Sequence, residues 1–447
     1  MSKNRAGVAL VDALRKGRSK GTTKQTISPA VEHKRLVIAL LTGGLLRLFV
    51  LVLFPKLIHE YLSGRVELST PVTSYKRLQE GLYLSSLGIS PYDGGVFHQS
   101  PLLLLAFKPL YYLPAVFTNT VFVAADVLVA WLLARIVDMR ERQLQQTRHA
   151  GVPGETHFTC RPSVVAMLYL FNPLAIGTSL VQSTIVFSHI AIASALYFGI
   201  QGMIDWAVLS TAIAAHLSLY PAMLIAPISL IAASNNGVVL NRSRVLLAVL
   251  KFAIAVGLLH LVFVALFGAE YFTATVDFTL RVVDLQPNMG LFWYFFIEIF
   301  DEFRSFFIVV FQLTALAFAV PVSWRFRHDP LFASVMLVGI ISALKSYPAW
   351  GDLALFLSLL PVYADLLKYL QYTFMSANLL LYGIGLAPVF WYLWIDQGSG
   401  NANFFYAATL VYEFGQISLL FDLGSAMLRR ELDIHQPETR TRTVVQE

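Results

Sequence analysis

The feature that most constrains this chain is a series of apolar runs, each roughly 17 to 25 residues long, of the length that a membrane-crossing helix requires. A helix rises 1.5 Å per residue, so about 20 residues cross a hydrocarbon layer about 30 Å thick. Lipid offers no partners to backbone amides, which restricts spanning structures to helices and closed barrels. A barrel would alternate polar and apolar residues in segments of about ten. Stretches such as LVIALLTGGLLRLFVLVLF, from Leu36 to Phe54, are uninterrupted and read as helix. With 57% hydrophobic and 13% charged residues and a mean hydropathy of +0.64, the chain is too apolar for a soluble fold of its length. The expected fold is an all-α polytopic transmembrane helix bundle.

Residues 1–35 hold nine Lys or Arg against two acids and no apolar period, which predicts a basic, disordered cytosolic tail ending at Lys34 and Arg35. The first span, at 36–54, is too long for a signal peptide and stays as an anchor. Further spans are expected near 115–136, 163–181, 184–204, 207–219, 221–233, 245–268, 303–323, 331–345, 352–367, 377–395 and 404–428. The count is about twelve, and an even number leaves both termini on the cytosolic side, with Arg429 and Arg430 flanking the last span before a tail at 431–447. Two lumenal segments result, 55–114 and 269–302. Within the first, PLLLLAFKPLYYLP is broken by Lys108 and Pro109 and is expected to re-enter or lie at the interface. The stretch from Arg135 to Pro162 reads as a polar cytosolic loop. A pI near 9.2 reflects these basic flanks, so no nucleic-acid partner is expected.

No Walker loop, dinucleotide fingerprint, HExxH, CxxC or GxSxG motif is present, and the single cysteine, Cys160, has no partner in the chain. No catalytic residue, metal or cofactor is therefore expected. Polar groups near membrane depth remain as candidates. Glu298, Asp301 and Glu302 follow the aromatic block from Phe292 to Phe296 at i, i+3 and i+4 spacing, which on a continuous helix gives one acidic face able to meet an ammonium group or simply to face water. Lys345 precedes a Pro348–Gly351 turn, where it could snorkel or meet a lipid phosphate, and Asp352 is placed to cap the next helix. His189, His216 and His260 lie singly in spans and are expected to pack helices together.

Four blocks in order, ISPYDGGVFHQSPLLLL, QPNMGLFWYFFIEIF, KSYPAWGDLALF and LWIDQGSGNANFFYA, closely resemble the PIG-U family, the multispanning subunit of the GPI transamidase. The resemblance implies a non-catalytic subunit of the endoplasmic reticulum membrane. Such a subunit recognises the GPI lipid while a caspase-like cysteine protease subunit cleaves the precursor and transfers its new carboxyl end to the lipid. Implied partners are the other transamidase subunits, the GPI lipid and membrane phospholipid. Candidate lipid contacts then fall in these blocks: Tyr92, Asp93 and His98; Asn288, Trp293, Tyr294, Glu298 and Asp301; Lys345 and Asp352; and Asn403.

The first lumenal loop also resembles that of GT-C mannosyltransferases, which implies a GT-C-like scaffold and supplies the main alternative, a membrane mannosyltransferase acting on a lipid-linked sugar. Those enzymes carry an acidic pair soon after the first span; here Arg65, Val66 and Glu67 stand at that place, and Asp93 reads most simply as a turn residue. A transporter would show repeated halves with paired broken helices, and no such repeat is visible. The topology makes one direct prediction. The sequon at Asn241 and Ser243 lies in a cytosolic turn, so glycosidase treatment leaves the chain's gel mobility unchanged, and a shift abolished by Asn241→Gln would invert the assignment.

Overall fold

Helix α1 (Pro29–Leu53) begins well before its apolar run, because Ser28 caps Val31 N at 3.4 Å, Pro29 occupies the first turn and Glu32 sits at its positive end. The computed structural model describes residues 28–149, 160–233 and 241–436, and among these every regular element is helical. The expectations for the outermost parts of both tails lie outside the described residues. Helix α2 (Ala115–His149) runs past the expected end of its span, so the start of the supposed polar loop is helix. Asp138 explains this: it pairs with Arg135 at 3.0 Å and Arg142 at 2.9 Å, the i, i+3 and i, i+4 contacts that stabilise an exposed polar helix.

The next span is broken. Helices α3 (Pro162–Leu170) and α4 (Pro173–Leu180) meet at 54°. Pro173 has no N–H to donate, and Leu174 N bonds the Asn172 side chain at 2.9 Å instead of continuing the helix. That leaves the Leu170 carbonyl without its helical donor. Arg47 of α1 fills the gap: its Nη1 donates to Leu170 O at 2.8 Å and Gly43 O at 3.2 Å, while Nε donates to Asp126 of α2 at 3.0 Å. Tyr169 Oη completes the set on the other Asp126 oxygen at 2.9 Å. Arg47 and Asp126 are both buried. Gly43 is required by the close approach of α3, since a Cβ there would lie 2.8 Å from Leu170 Cδ1.

The bundle continues through α5 (Ile185–Ile200), α6 (Ile204–Leu217), α7 (Ile225–Ala233), α8 (Arg242–Phe267), α9 (Phe292–Glu298), α10 (Asp301–Ala317), α11 (Ala319–Arg325), α12 (Pro330–Leu344), α13 (Trp350–Leu359), α14 (Thr373–Trp391) and α15 (Ala402–His435). Among the described residues seven helices are long and apolar enough to cross a membrane, or eight with the α3–α4 pair as one span. The other expected crossings, α5, α6, the segment Tyr220–Ala233 and α12, are apolar but only 10–17 residues long. They can be short because they are interior: every residue of α12 from Leu331 to Ala343 is buried. Pro101–Phe107, a seven-residue helix, is too short to cross, in keeping with an interfacial piece.

At one end, polar groups close the bundle. Arg140 pairs with Asp329, whose other oxygen accepts Tyr363 Oη at 2.6 Å, and Arg430 pairs with Asp365 at 2.9 Å. Asp422 of α15 accepts the Gln371 and Tyr372 amides at 2.9 and 2.8 Å, ordering the start of α14. Removing one partner of a buried pair leaves an uncompensated charge. Arg47→Leu is accordingly expected to cost about 3–5 kcal/mol and to lower the thermal midpoint of the purified chain. Arg47→Leu with Asp126→Leu should recover part of the loss, and an unchanged midpoint in the single variant would contradict this role.

Candidate functional site

The opposite end is built from segments far apart in sequence. The Thr73 carbonyl accepts Thr184 N at 2.8 Å and Thr184 Oγ1 at 3.1 Å, anchoring the loop after α1 to the start of α5. Gln99 ties the same loop together, receiving Thr184 Oγ1 at 3.0 Å and donating to Ser74 O at 2.6 Å. Arg77 reaches across to the second expected lumenal segment, pairing with Asp284 at 2.8 Å. Tyr347 Oη donates to the Asp284 carbonyl at 2.8 Å, bringing in the turn before α13. The three segments thus share one hydrogen-bonded surface.

Between them lies a small cavity of about 60 Å³, walled by Thr73, His98, Ser188, His216, Tyr271 and Lys345 among others. His98 stacks on Phe278 at 3.6 Å and 9°, and Phe278 stacks on Tyr347 at 5.7 Å and 12°. The two His98 nitrogens face the Ala274 and Gly95 carbonyls at 2.9 and 3.1 Å. Burial lowers the basicity of this imidazole, against the two carbonyls, which favour the charged ring. Lys345 is buried rather than snorkelling: its ammonium meets Asp352 at 2.6 Å, and the other Asp352 oxygen accepts Ala349 N at 2.9 Å, the capping role expected of it.

At the same end of the bundle, Tyr294 donates to Asn403 Oδ1 across a separation of 109 residues. The Tyr294 ring packs 4.7 Å from Tyr406, and desolvation together with the neighbouring Glu298 carboxylate raises its phenol above the ordinary range. Trp293 is fully buried, stacked on Trp394 at 6.4 Å and 20°. Asn288 is buried in its own turn, accepting Gly290 N at 2.8 Å, and Gly290 lies so close to Pro348 that a Cβ would sit 2.6 Å from its Cδ. Tyr92 is buried with its hydroxyl on Gln99 O at 3.2 Å, whereas Asp93 is an exposed turn residue whose amide bonds Ser90 O at 3.2 Å.

One expectation requires correction. Glu298, Asp301 and Glu302 do not share a helical face, because α9 ends at Glu298 and α10 starts at Asp301 after extended backbone at Ile299 and Phe300. Arg304 imposes the break by turning back to bond the Phe296 and Val282 carbonyls at 3.2 and 3.1 Å. All three acids are exposed, and Glu298 alone adjoins Tyr294 and Asn403.

At the place of the expected degenerate acidic pair, Arg65 grips Glu67 with two bonds, Nε to Oε2 at 3.2 Å and Nη2 to Oε1 at 2.8 Å. Glu67 is wholly buried, and its carbonyl accepts Trp350 N at 2.8 Å. Burial pushes this carboxyl above its ordinary value and the Arg65 guanidinium pulls against it. Both oxygens are thus committed to the chain's own base.

The sequence profile of the family described as GPI transamidase subunit PIG-U matches residues 41–412. The chain belongs to the PIG-U family. It is 35% identical over 392 residues to the GPI transamidase component GAB1 of Saccharomyces cerevisiae, covering 87% of this chain and 93% of that one. It is 34% identical over 401 residues to the GPI-anchor transamidase component PIGU of Cricetulus griseus, covering 85% and 91%. A more distant likeness, 26% over 348 residues, covering 73% and 81%, relates it to the GPI alpha-1,4-mannosyltransferase I catalytic subunit of Danio rerio.

Within this PIG-U chain, sequence reasoning did not find Arg77, Asp284, Thr73, Tyr220 or Tyr347. No spacing rule links Arg77 to a partner 207 residues away. Tyr220 and Gln312 bond at 2.7 Å beneath the cavity, and only polarity inside apolar runs could have marked them. The Arg65–Glu67 pair is directly testable. Arg65→Gln strands a buried carboxylate and is expected to destabilise the protein by about 3 kcal/mol, while Arg65→Gln with Glu67→Gln should regain most of it. Equal midpoints for wild type and the single variant would refute the pairing.

Proposed function

We propose that this chain is the multispanning, non-catalytic subunit of a GPI transamidase in the endoplasmic reticulum membrane, recognising and positioning the GPI lipid for attachment to protein C-termini. A caspase-like cysteine protease subunit would cleave the precursor's C-terminal signal and hand the new acyl end to the lipid's amine. That the yeast and hamster relatives are GPI transamidase components supports the assignment to the complex. The basic flanks support the topology: Lys34, Arg35, Arg140, Arg142, Arg242, Arg244 and Arg430 belong to helix ends remote from the cavity, and lysine and arginine favour the cytosolic side. The cavity end then faces the lumen and both termini the cytosol.

The observation that carries the reading is the meeting of Tyr294 with Glu298 and Asn403, at the same end of the bundle as the cavity that Lys345 and His98 line. The polar tip of a GPI lipid offers an ammonium group and phosphates. A carboxylate beside two aromatic rings suits the first, and amide and imidazole donors suit the second. The mannosyltransferase alternative would draw on Glu67 and Asp93 of the first loop; Arg65 already occupies both oxygens of Glu67, which leaves only the exposed turn residue Asp93 of that pair. The distant likeness to a mannosyltransferase supports a shared scaffold.

The test is a lipid profile. Depleting the protein should let complete GPI accumulate while precursor proteins keep their hydrophobic tails; accumulation of under-mannosylated lipid instead would sink the proposal in favour of the transferase. Glu298→Ala with Asn403→Ala should reduce GPI retained by the assembled complex roughly tenfold, about 1.4 kcal/mol. Full retention would remove both residues from the site.

A further inference from the structure

The end of the bundle away from the cavity carries a second recess, of about 210 Å³, between the starts of α6 and α8 and the end of α7. Helix lengths create it. Helix α6 has 14 residues and α8 has 26. They run side by side in the same direction, with His216 Nε2 at 3.2 Å from Val256 O near one end and Lys251 Nζ at 2.5 Å from Asp205 near the other. Helix α8 is therefore the longer by twelve residues (26 against 14), about 18 Å, and overhangs α6 at both ends. Small residues keep the space beneath α6 open: Gly202 at φ +77°, Ala232 and Ala248.

The lining is amphipathic in a defined order. Arg244 and Lys251 stand two turns apart on α8 with Leu247 and Ala248 between them, and Ile204 faces them from α6. Among the described residues the charged groups facing the recess are Arg244, Lys251 and Asp205, with Arg242 two residues before Arg244 on α8 and no further acid in the lining. Asp205 offsets Lys251, which leaves Arg244 as surplus charge. Trp206, 54% exposed, sits beside Asp205 at the level where indole rings favour the membrane interface. The outer flank of α8 beside the recess is apolar and uncovered, with Leu246 70% and Leu250 56% exposed, and it stays so further along the helix at Leu258 and Leu261.

We infer that this recess is a binding site for an anionic phospholipid, with the head-group phosphate on Arg244 and the Lys251 rim and the glycerol and upper acyl chain against Leu247 and Ile204. The charge complementarity selects the head group, and the apolar wall opening onto the lipid-facing flank selects a lipid over a free ion. The site stands on geometry at the end of the bundle remote from the GPI reading and does not depend on it.

The test uses the full-length chain, purified in detergent, delipidated and followed by thermal unfolding. Phosphatidylinositol should raise the midpoint in a saturable way, while phosphatidylcholine and inorganic phosphate should not. Arg244→Gln with Lys251→Gln should weaken the apparent affinity at least tenfold. Leu247→Trp, which fills the recess from its exposed side and keeps every charge, should do the same. Equal stabilisation by phosphatidylcholine, protection by inorganic phosphate alone, or undiminished phosphatidylinositol binding in either variant would overturn the site. So would loss of another subunit from the purified complex in the charge variant with lipid binding intact, which would assign the face to a protein partner.

Discussion

The interaction on which the rest of the bundle depends is the Arg47 guanidinium in its buried setting among α1, α2 and the broken α3–α4 span. A charge in this position is costly unless an opposite charge is near and its donors find acceptors, as Nε and Nη1 do here while Nη2 does not. Asp126 supplies the charge, and the carbonyl released by the break at Phe171 supplies an acceptor. The break and the arginine thus justify one another. Without the bend, Leu170 O has no vacancy; without Arg47, the bend leaves a bare carbonyl at membrane depth. The bend in turn directs α4 toward Thr184, where the loop carrying Thr73 and Gln99 is pinned.

Much of this architecture is visible in the chain itself. Apolar run length locates the long spans, and Pro, Gly and Asn clusters locate the loops between them, because both are local properties of the backbone. What is not local stays hidden. Arg47 and Asp126 each interrupt an apolar run, which marks them as unusual, but nothing in spacing names them as partners. The acidic triplet fails for a related reason. Its i, i+3, i+4 pattern is valid only on a continuous helix, and the break at Ile299–Phe300 has no Pro or Gly to announce it; Arg304 makes it through tertiary bonds. Conversely, the helix of α2 beyond Arg135 is hidden because polarity alone suggests a loop, and the Asp138 pairs that hold it show only in the structure.

The candidate site shows the same division. Family-like blocks point to Tyr294, Asn403, His98 and Lys345, and folding brings these to one end of the bundle. Several neighbours in those blocks serve the frame instead. Asn288 shapes the turn that lets Gly290 meet Pro348, Trp293 is buried against Trp394, and Tyr92 packs under the first loop. Arg65 takes on new meaning in three dimensions: it both removes one acid from a transferase-like position and neutralises the one that remains.

The short interior helices have a consequence of their own. The helices facing lipid, such as α8 and α14, are long, so the fit of the protein to bilayer thickness is set at its perimeter. The interior is released from that requirement, and both hollows lie where α6 stops short, one past Leu217 and the other before Ile204. Adding or deleting one turn in α6 would fill or deepen a hollow by about 5.4 Å while leaving the perimeter untouched. The volume of the hollows and the fit to the membrane can therefore vary independently in this scaffold.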